Sequence, residues 1–173
     1  MKTKFNIYKL FLLTLFFGVL FCTQLFAQQP GFSGTWKLTE KTNLSGADYS
    51  NAVPAQIKLE QSITELTEGR TEVSPDENTP GTTSTEKLPL ETGKGTIGTT
   101  ADKRKIKTTV QINGKVLTET NVITLPNSTD TAIKIKEVST VSDDGKTLTL
   151  VKEFENLKDP NDKWSAKGIY ERQ

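Results

Sequence analysis

The side chains that could do chemistry in this chain are carboxylates, lysines, serines and tyrosines, because the usual nucleophilic, metal-binding and redox residues are nearly absent. The 173-residue sequence holds no histidine, one cysteine (Cys22) and one methionine (Met1). Ser-His-Asp and Cys-His arrangements, the common zinc sites and haem ligation therefore cannot be built beyond the first 27 residues. No cofactor and no metal is expected. Glu60, Glu65, Glu119, Glu137 and Glu153 fall on segments that read as strands, and two carboxyls in an apolar pocket could serve acid-base catalysis. Their spacing sets no pair across a cleft, so they read as solvent-facing charge, and an enzyme is not expected. Lys103-Arg104-Lys105 reads as a solvated turn. Trp36 and Trp164 could stack on a bound ring and Tyr170 could offer its hydroxyl to a polar head group; filling the core is the alternative role for all three.

Those residues have to be positioned by a domain that starts after a targeting segment. Lys2, Lys4 and Lys9 precede an almost unbroken apolar run from Leu10 to Leu25, and Ala27 stands before Gln28-Gln29-Pro30. This is the pattern of a secretory signal peptide over residues 1–27, with the domain over 28–173 and a secreted, periplasmic or cell-surface destination. Cleavage before Cys22 to give a lipoprotein is disfavoured by Phe21, where such sites carry a small residue. Without the leader, Lys+Arg falls from 22 to 19 against 21 Asp+Glu, a formal net charge of −2. That balance gives no electrostatic case for nucleic acid or for an anionic membrane surface. No membrane span is expected after cleavage, and stability must come without disulfides.

The periodicity of the remaining chain is two. Ile106, Thr108, Val110 and Ile112 alternate with Lys105, Lys107, Thr109 and Gln111, which gives an extended strand one apolar and one polar face. Asn113-Gly114 then predicts a hairpin. Breaks at 127–130, 143–146 and 158–162 divide the rest, so residues 105–172 read as a five-stranded antiparallel meander. The N-terminal half is less clear. Trp36 and Leu38 share one strand face, and Ile57, Leu59 and Ile63 share another; residues 42–54 read as a loop closed by Pro54. Two or three short strands are expected between Thr67 and Lys105, with a loop from Pro75 to Pro80. The chain is thus all-β, an antiparallel up-and-down barrel of about 8–10 strands, because closure removes unpaired edges.

Two short motifs bracket this pattern. Phe32-Ser33-Gly34-Thr35-Trp36-Lys37-Leu38 resembles the opening Gly-x-Trp strand of lipocalins and fatty-acid-binding proteins, and Ile169-Tyr170-Glu171-Arg172 resembles the closing strand of the latter. The order of these motifs with Thr85-Glu86-Lys87-Leu88 and Asp144-Gly145-Lys146-Thr147-Leu148 is similar to that of secreted bacterial lipocalin-like proteins. The resemblance implies a calycin-type barrel in which Trp36 plugs one end beneath Arg172 or Lys167. It departs from the fatty-acid-binding pattern where an Arg-x-Tyr pair on the last strand holds the carboxylate, since Gly168 stands in the arginine position.

The expected function is binding of a small apolar or amphipathic molecule inside the barrel. Trp36, Leu38, Ile57, Leu59, Val110, Ile112, Ile133, Ile135, Leu150, Phe154 and Tyr170 are its expected lining. A packed core with no ligand, making the chain an interaction or structural module of the envelope, is the alternative. An enzyme using a carboxylate or lysine in a dry pocket comes third.

Overall fold

The computed structural model describes residues 31–74, 80–91, 94–100, 102–126 and 128–173. The leader and most of the loop expected at 75–80 lie outside them. Ten strands follow one another: β1 (Gly34–Ser45), β2 (Gln56–Gln61), β3 (Glu65–Thr71), β4 (Thr83–Pro89), β5 (Gly95–Thr99), β6 (Lys105–Asn113), β7 (Val116–Thr124), β8 (Thr131–Val141), β9 (Thr147–Asn156) and β10 (Lys163–Arg172). All pair antiparallel in a single sheet of order β4-β3-β2-β1-β10-β9-β8-β7-β6-β5. The sheet curls into a nearly closed barrel whose free edges, β4 and β5, face each other without a hydrogen-bonded ladder. Across that seam Thr96 Oγ1 donates to Glu86 Oε1 at 2.8 Å. One 3-10 turn, Ser50–Ala52, is the helical element among the described residues, and no helix there is long and apolar enough to cross a membrane.

The expected meander over 105–172 is present as β6 to β10. Its first turn differs in detail: Asn113 pairs with Val116, so Gly114 and Lys115 are the central residues, and only Gly114 has a positive φ, at 58°. That is what a type II′ turn demands of its first central residue. Two expectations in the N-terminal half are corrected. Ile63 does not share a strand face with Ile57 and Leu59; it is 98% exposed. The cause is Ser62, whose hydroxyl accepts from the amide of Glu65 at 2.9 Å and ends β2 in a tight turn. Residues 42–45 are strand rather than loop, because β1 bulges after Leu38 and after Asn43 while keeping its register with β10 as far as Ser45 and Ser165. Bulges bend a strand and increase its twist, which lets β1 leave β2 and follow β10.

Closure rests on the first and last strands. Trp36 pairs with Arg172 and Leu38 with Tyr170. The Trp36 ring is fully buried, its Nε1 donates to the Phe32 carbonyl at 2.9 Å, and Arg172 Cζ lies 4.4 Å from the ring centroid. Arg172 is held there by donating to the Gly31 carbonyl at 2.8 Å. A cation over an indole face gains about 0.5–1 kcal/mol when exposed and more when desolvated. Around this plug Phe32, Leu59, Leu66, Leu88, Leu148 and Leu150 pack into one apolar core.

The connection from β1 to β2 is a second plug. Val53 is fully buried in the core, Lys152 Nζ donates to the Ala52 carbonyl at 3.1 Å, and the Tyr170 hydroxyl donates to the Pro54 carbonyl at 2.9 Å. Tyr49 stacks on Trp164 with centroids 4.9 Å apart, and Trp164 stacks on Phe154 at 5.4 Å.

Candidate functional site

Strand parity decides what enters the remaining interior. In β3 the inward positions are Leu66, Glu68 and Arg70; in β7 they are Leu117, Glu119 and Asn121; in β8 they are Ile135, Glu137 and Ser139; in β9 they are Leu148, Leu150 and Lys152. Buried apolar residues at one end of each strand therefore carry charged residues inward two or four positions along. The expectation that Glu119 and Glu137 face solvent is corrected: they are cross-strand partners, 6% and 3% exposed, and both point into the barrel.

Arg70 joins the two walls. Its Nη2 donates to Glu68 Oε2 at 3.0 Å and to Glu119 Oε2 at 2.9 Å, and its Nη1 stands 2.6 Å from Glu137 Oε2. Lys152 Nζ takes the other oxygen of Glu137 at 3.1 Å. A further chain runs outward from Glu119, whose Oε1 accepts from Asn121 Nδ2 at 2.7 Å, while Asn121 Oδ1 accepts from Thr108 Oγ1 at 2.6 Å. Since β3 and β7 are far apart in the sheet order, Arg70 crosses the interior rather than bridging neighbours. Buried charges persist only when paired and hydrogen-bonded.

The cluster contains three carboxylates and two cations, and its protonation follows from that imbalance. Burial would raise the Glu137 carboxyl, but Arg70 and Lys152 together hold it below the ordinary range. The Arg70 guanidinium loses solvation, yet Glu137, Glu68 and Glu119 keep it firmly charged. Glu68 is different: burial, with the neighbouring Glu119 carboxylate opposing ionisation, outweighs the attraction of Arg70 and pushes its pKa up to about 8. At neutral pH Glu68 is therefore a neutral hydrogen-bond donor. Burial and the nearby Glu137 also push the Tyr170 phenol up.

Beside this cluster lies a pocket of about 380 Å3. Glu68, Arg70, Glu119, Asn121 and Thr108 form its polar floor, Ile106, Ile123 and Ile135 its apolar wall. Ser84 and Glu86 of β4 and Gly98 and Thr99 of β5 line its mouth, so it opens along the seam. That volume lies within the ordinary range for small-molecule sites.

Among the eleven residues expected to line a cavity, Ile135 is the one that lines this pocket. Trp36, Ile57, Leu59, Val110, Leu150 and Tyr170 are instead buried in the packed core, with Leu38 and Ile112 against it. Phe154 is occupied by Trp164, and Ile133 lies inward but outside the lining. The apolar residues were spent on packing, and the hollow part of the interior falls where the inward positions turn polar. Alternation from Leu66, Leu117 and Ile135 could have placed Glu68, Glu119 and Glu137 inside. No sequence signal could have set Arg70 against carboxylates 49 and 67 positions away.

Gly168 explains the departure noted on the last strand. A Cβ there would lie 2.7 Å from Tyr170 Cε2 and 2.9 Å from its hydroxyl oxygen, so the phenol lies across a backbone with no side chain and reaches Pro54. Gly168→Ala should break that contact and lower stability by about 1–3 kcal/mol through overpacking, read as a shift of the urea midpoint.

Comparison with solved structures agrees with this architecture. The REP1-NXSQ fatty acid transporter superposes with a TM-score of 0.52 at 17% identity over 82% of this chain and 95% of its own. The fatty-acid-binding protein from brain tissue of Drosophila melanogaster gives 0.52 at 18% identity over 82% and 99%. Lipid binding protein 8 of Caenorhabditis elegans gives 0.52 at 8% identity over 85% and 98%. No family profile matches the sequence, and comparison with curated proteins finds no relative. At these identities the likeness establishes the fold alone: a ten-stranded calycin-type near-barrel of the kind seen in fatty-acid-binding proteins.

Proposed function

We propose that the chain is an exported carrier that takes one small amphipathic molecule into the pocket between Arg70 and the β4/β5 seam. The observation that carries this reading is the hollow itself. About 380 Å3 with a wall of three isoleucines and a floor of hydrogen-bonding groups lies inside the barrel beside the packed core. Burial of apolar ligand surface against Ile106, Ile123 and Ile135 supplies affinity at about 25 cal/mol per Å2, and the floor orients the polar end. Export rests on the basic and apolar leader, and cleavage should give a mature chain beginning near Gln28.

The fold also favours a carrier, since its structural neighbours are named for fatty-acid binding and transport. Purified protein should carry an extractable small amphiphile detectable by mass spectrometry, and the stripped protein should bind a hydrophobic dye that Ile123→Trp, by filling the pocket, excludes. A blank extract together with equal dye binding by the variant would leave the carrier without support and favour a ligand-free envelope module.

A further inference from the structure

We propose that the floor of this pocket recognises an uncharged hydroxyl group, with Thr108 accepting from it and Asn121 donating to it, so that the cargo is a neutral amphiphile of the long-chain alcohol class. The inference rests on the carrier reading and specifies the head group of its ligand. Thr108 and Asn121 are cross-strand partners on β6 and β7, and both line the pocket. Their hydrogens are fixed by a chain of forced choices that starts at Arg70. Glu119 accepts from Arg70 Nη2 at its Oε2 and accepts again at Oε1, 2.7 Å from Asn121. Only the amide nitrogen of Asn121 can face that oxygen, which turns Asn121 Oδ1 toward Thr108 Oγ1 at 2.6 Å. Thr108 must then spend its one hydrogen on Asn121.

What remains is an acceptor beside a donor. Thr108 is 3% exposed, and its Oγ1 receives no N–H or O–H among the described residues. Asn121 keeps a second N–H, because Glu119 takes only one of the two. A hydroxyl gives one hydrogen and accepts another, so it satisfies both groups at once. Ile106, Ile123 and Ile135 stand alongside to take the chain.

A charged head group finds its partners already engaged. Arg70 Nη2 holds Glu68 and Glu119 while Nη1 faces Glu137, so a ligand carboxylate would have to displace one of them. An ammonium has three N–H donors and no acceptor. It would meet Glu119 bonded at both oxygens and leave the spare N–H of Asn121 unanswered. With Glu68 neutral, Arg70 and Lys152 match Glu119 and Glu137 one for one, and an ion of either sign would unbalance a buried site.

The test is calorimetry of the stripped protein at neutral pH with n-octanol, its methyl ether, octanoate and n-octylammonium. The ether keeps the chain and the oxygen but has no hydrogen for Thr108. Octanol should bind about three- to tenfold more tightly than the more hydrophobic ether, and at least about tenfold more tightly than either ion. Thr108→Val combined with Asn121→Leu, which removes both partners, should bind octanol no more tightly than the ether, and its far-UV circular dichroism should match the parent. The ranking in the parent decides the question by itself should the double variant fail to fold. Octanol binding no tighter than the ether, or a preference that survives in the folded double variant, overturns the hydroxyl assignment and leaves the carrier intact. So does octanoate or octylammonium binding more tightly than octanol. Failure of all four amphiphiles, with no dye bound, overturns the carrier reading as well.

Discussion

Arg70→Met should destabilise the folded chain by about 3–5 kcal/mol at neutral pH, a large fraction of the 5–15 kcal/mol typical of a single domain. The reason is the number of groups it abandons. Glu68 and Glu119 lose their shared donor, and Glu137 keeps only Lys152. Glu119 and Glu137 are partners on adjacent strands, and with the cation gone their charges would face each other in a low-dielectric interior. The loss should shrink on acidification: without Arg70, burial raises the carboxyl pKa values in the folded state, so protonation between pH 7 and 5 relieves the repulsion. Combining Arg70→Met with Glu119→Gln and Glu68→Gln should recover part of the loss at pH 7. Urea unfolding at pH 5 and pH 7 measures both effects. An unchanged midpoint for Arg70→Met would mean that the guanidinium is solvated and the cross-barrel network does not hold.

The second large effect is on the parent protein, which should become less stable as pH rises from 5 to 8. Glu68 binds its proton up to about pH 8 when folded but only to about 4.5 when unfolded. Between those values the folded state holds one more proton, so its contribution is complete below 4.5 and is lost as pH climbs through 8. The slope approaches about 1.4 kcal/mol per pH unit for one proton and flattens above pH 8. Glu137 acts oppositely: its depressed pKa stabilises the fold above 4.5 and ceases to do so on strong acidification. Maximum stability should therefore fall on the acid side of neutrality, unlike a protein whose buried carboxylates are all ion-paired. Glu68→Gln should flatten the profile between pH 5 and 8. A parent profile already flat there would show that Glu68 is ionised in the folded protein.

Much of the barrel was legible because two local signals coincide from residue 105 onward. Alternation in Ile106 to Ile112 and turn residues such as Asp144-Gly145 delimit β6 to β10. Trp36 and Tyr170 at opposite ends of the chain marked the closing pair. The N-terminal half was harder, since β4 is exposed at nearly every position and β5 has only Ile97 as a large apolar residue, itself 73% exposed. Strands that border a polar opening carry no apolar face to read. The same physics hid the site. A lining of isoleucine and leucine was expected, but the chain has only enough large apolar residues to fill one part of its interior, and the rest is held by charge. Glu119 and Glu137 looked like surface glutamates because the arginine that admits them to the interior lies on another strand. Composition shows their number, and only the tertiary pairing shows which are buried.

The seam between β4 and β5 has a consequence for how the protein breathes. Everywhere else, parting two neighbouring strands means breaking rungs of main-chain hydrogen bonds. At this one line the wall is joined through side chains such as Thr96 and Glu86, so a gap can widen there without unzipping the sheet. Amides of β4 and β5 that point into the gap should exchange with deuterium rapidly, while those of β9 and β10 wait for global opening. On the carrier reading proposed above, a ligand would enter and leave along this line while the ladders of the sheet stay intact.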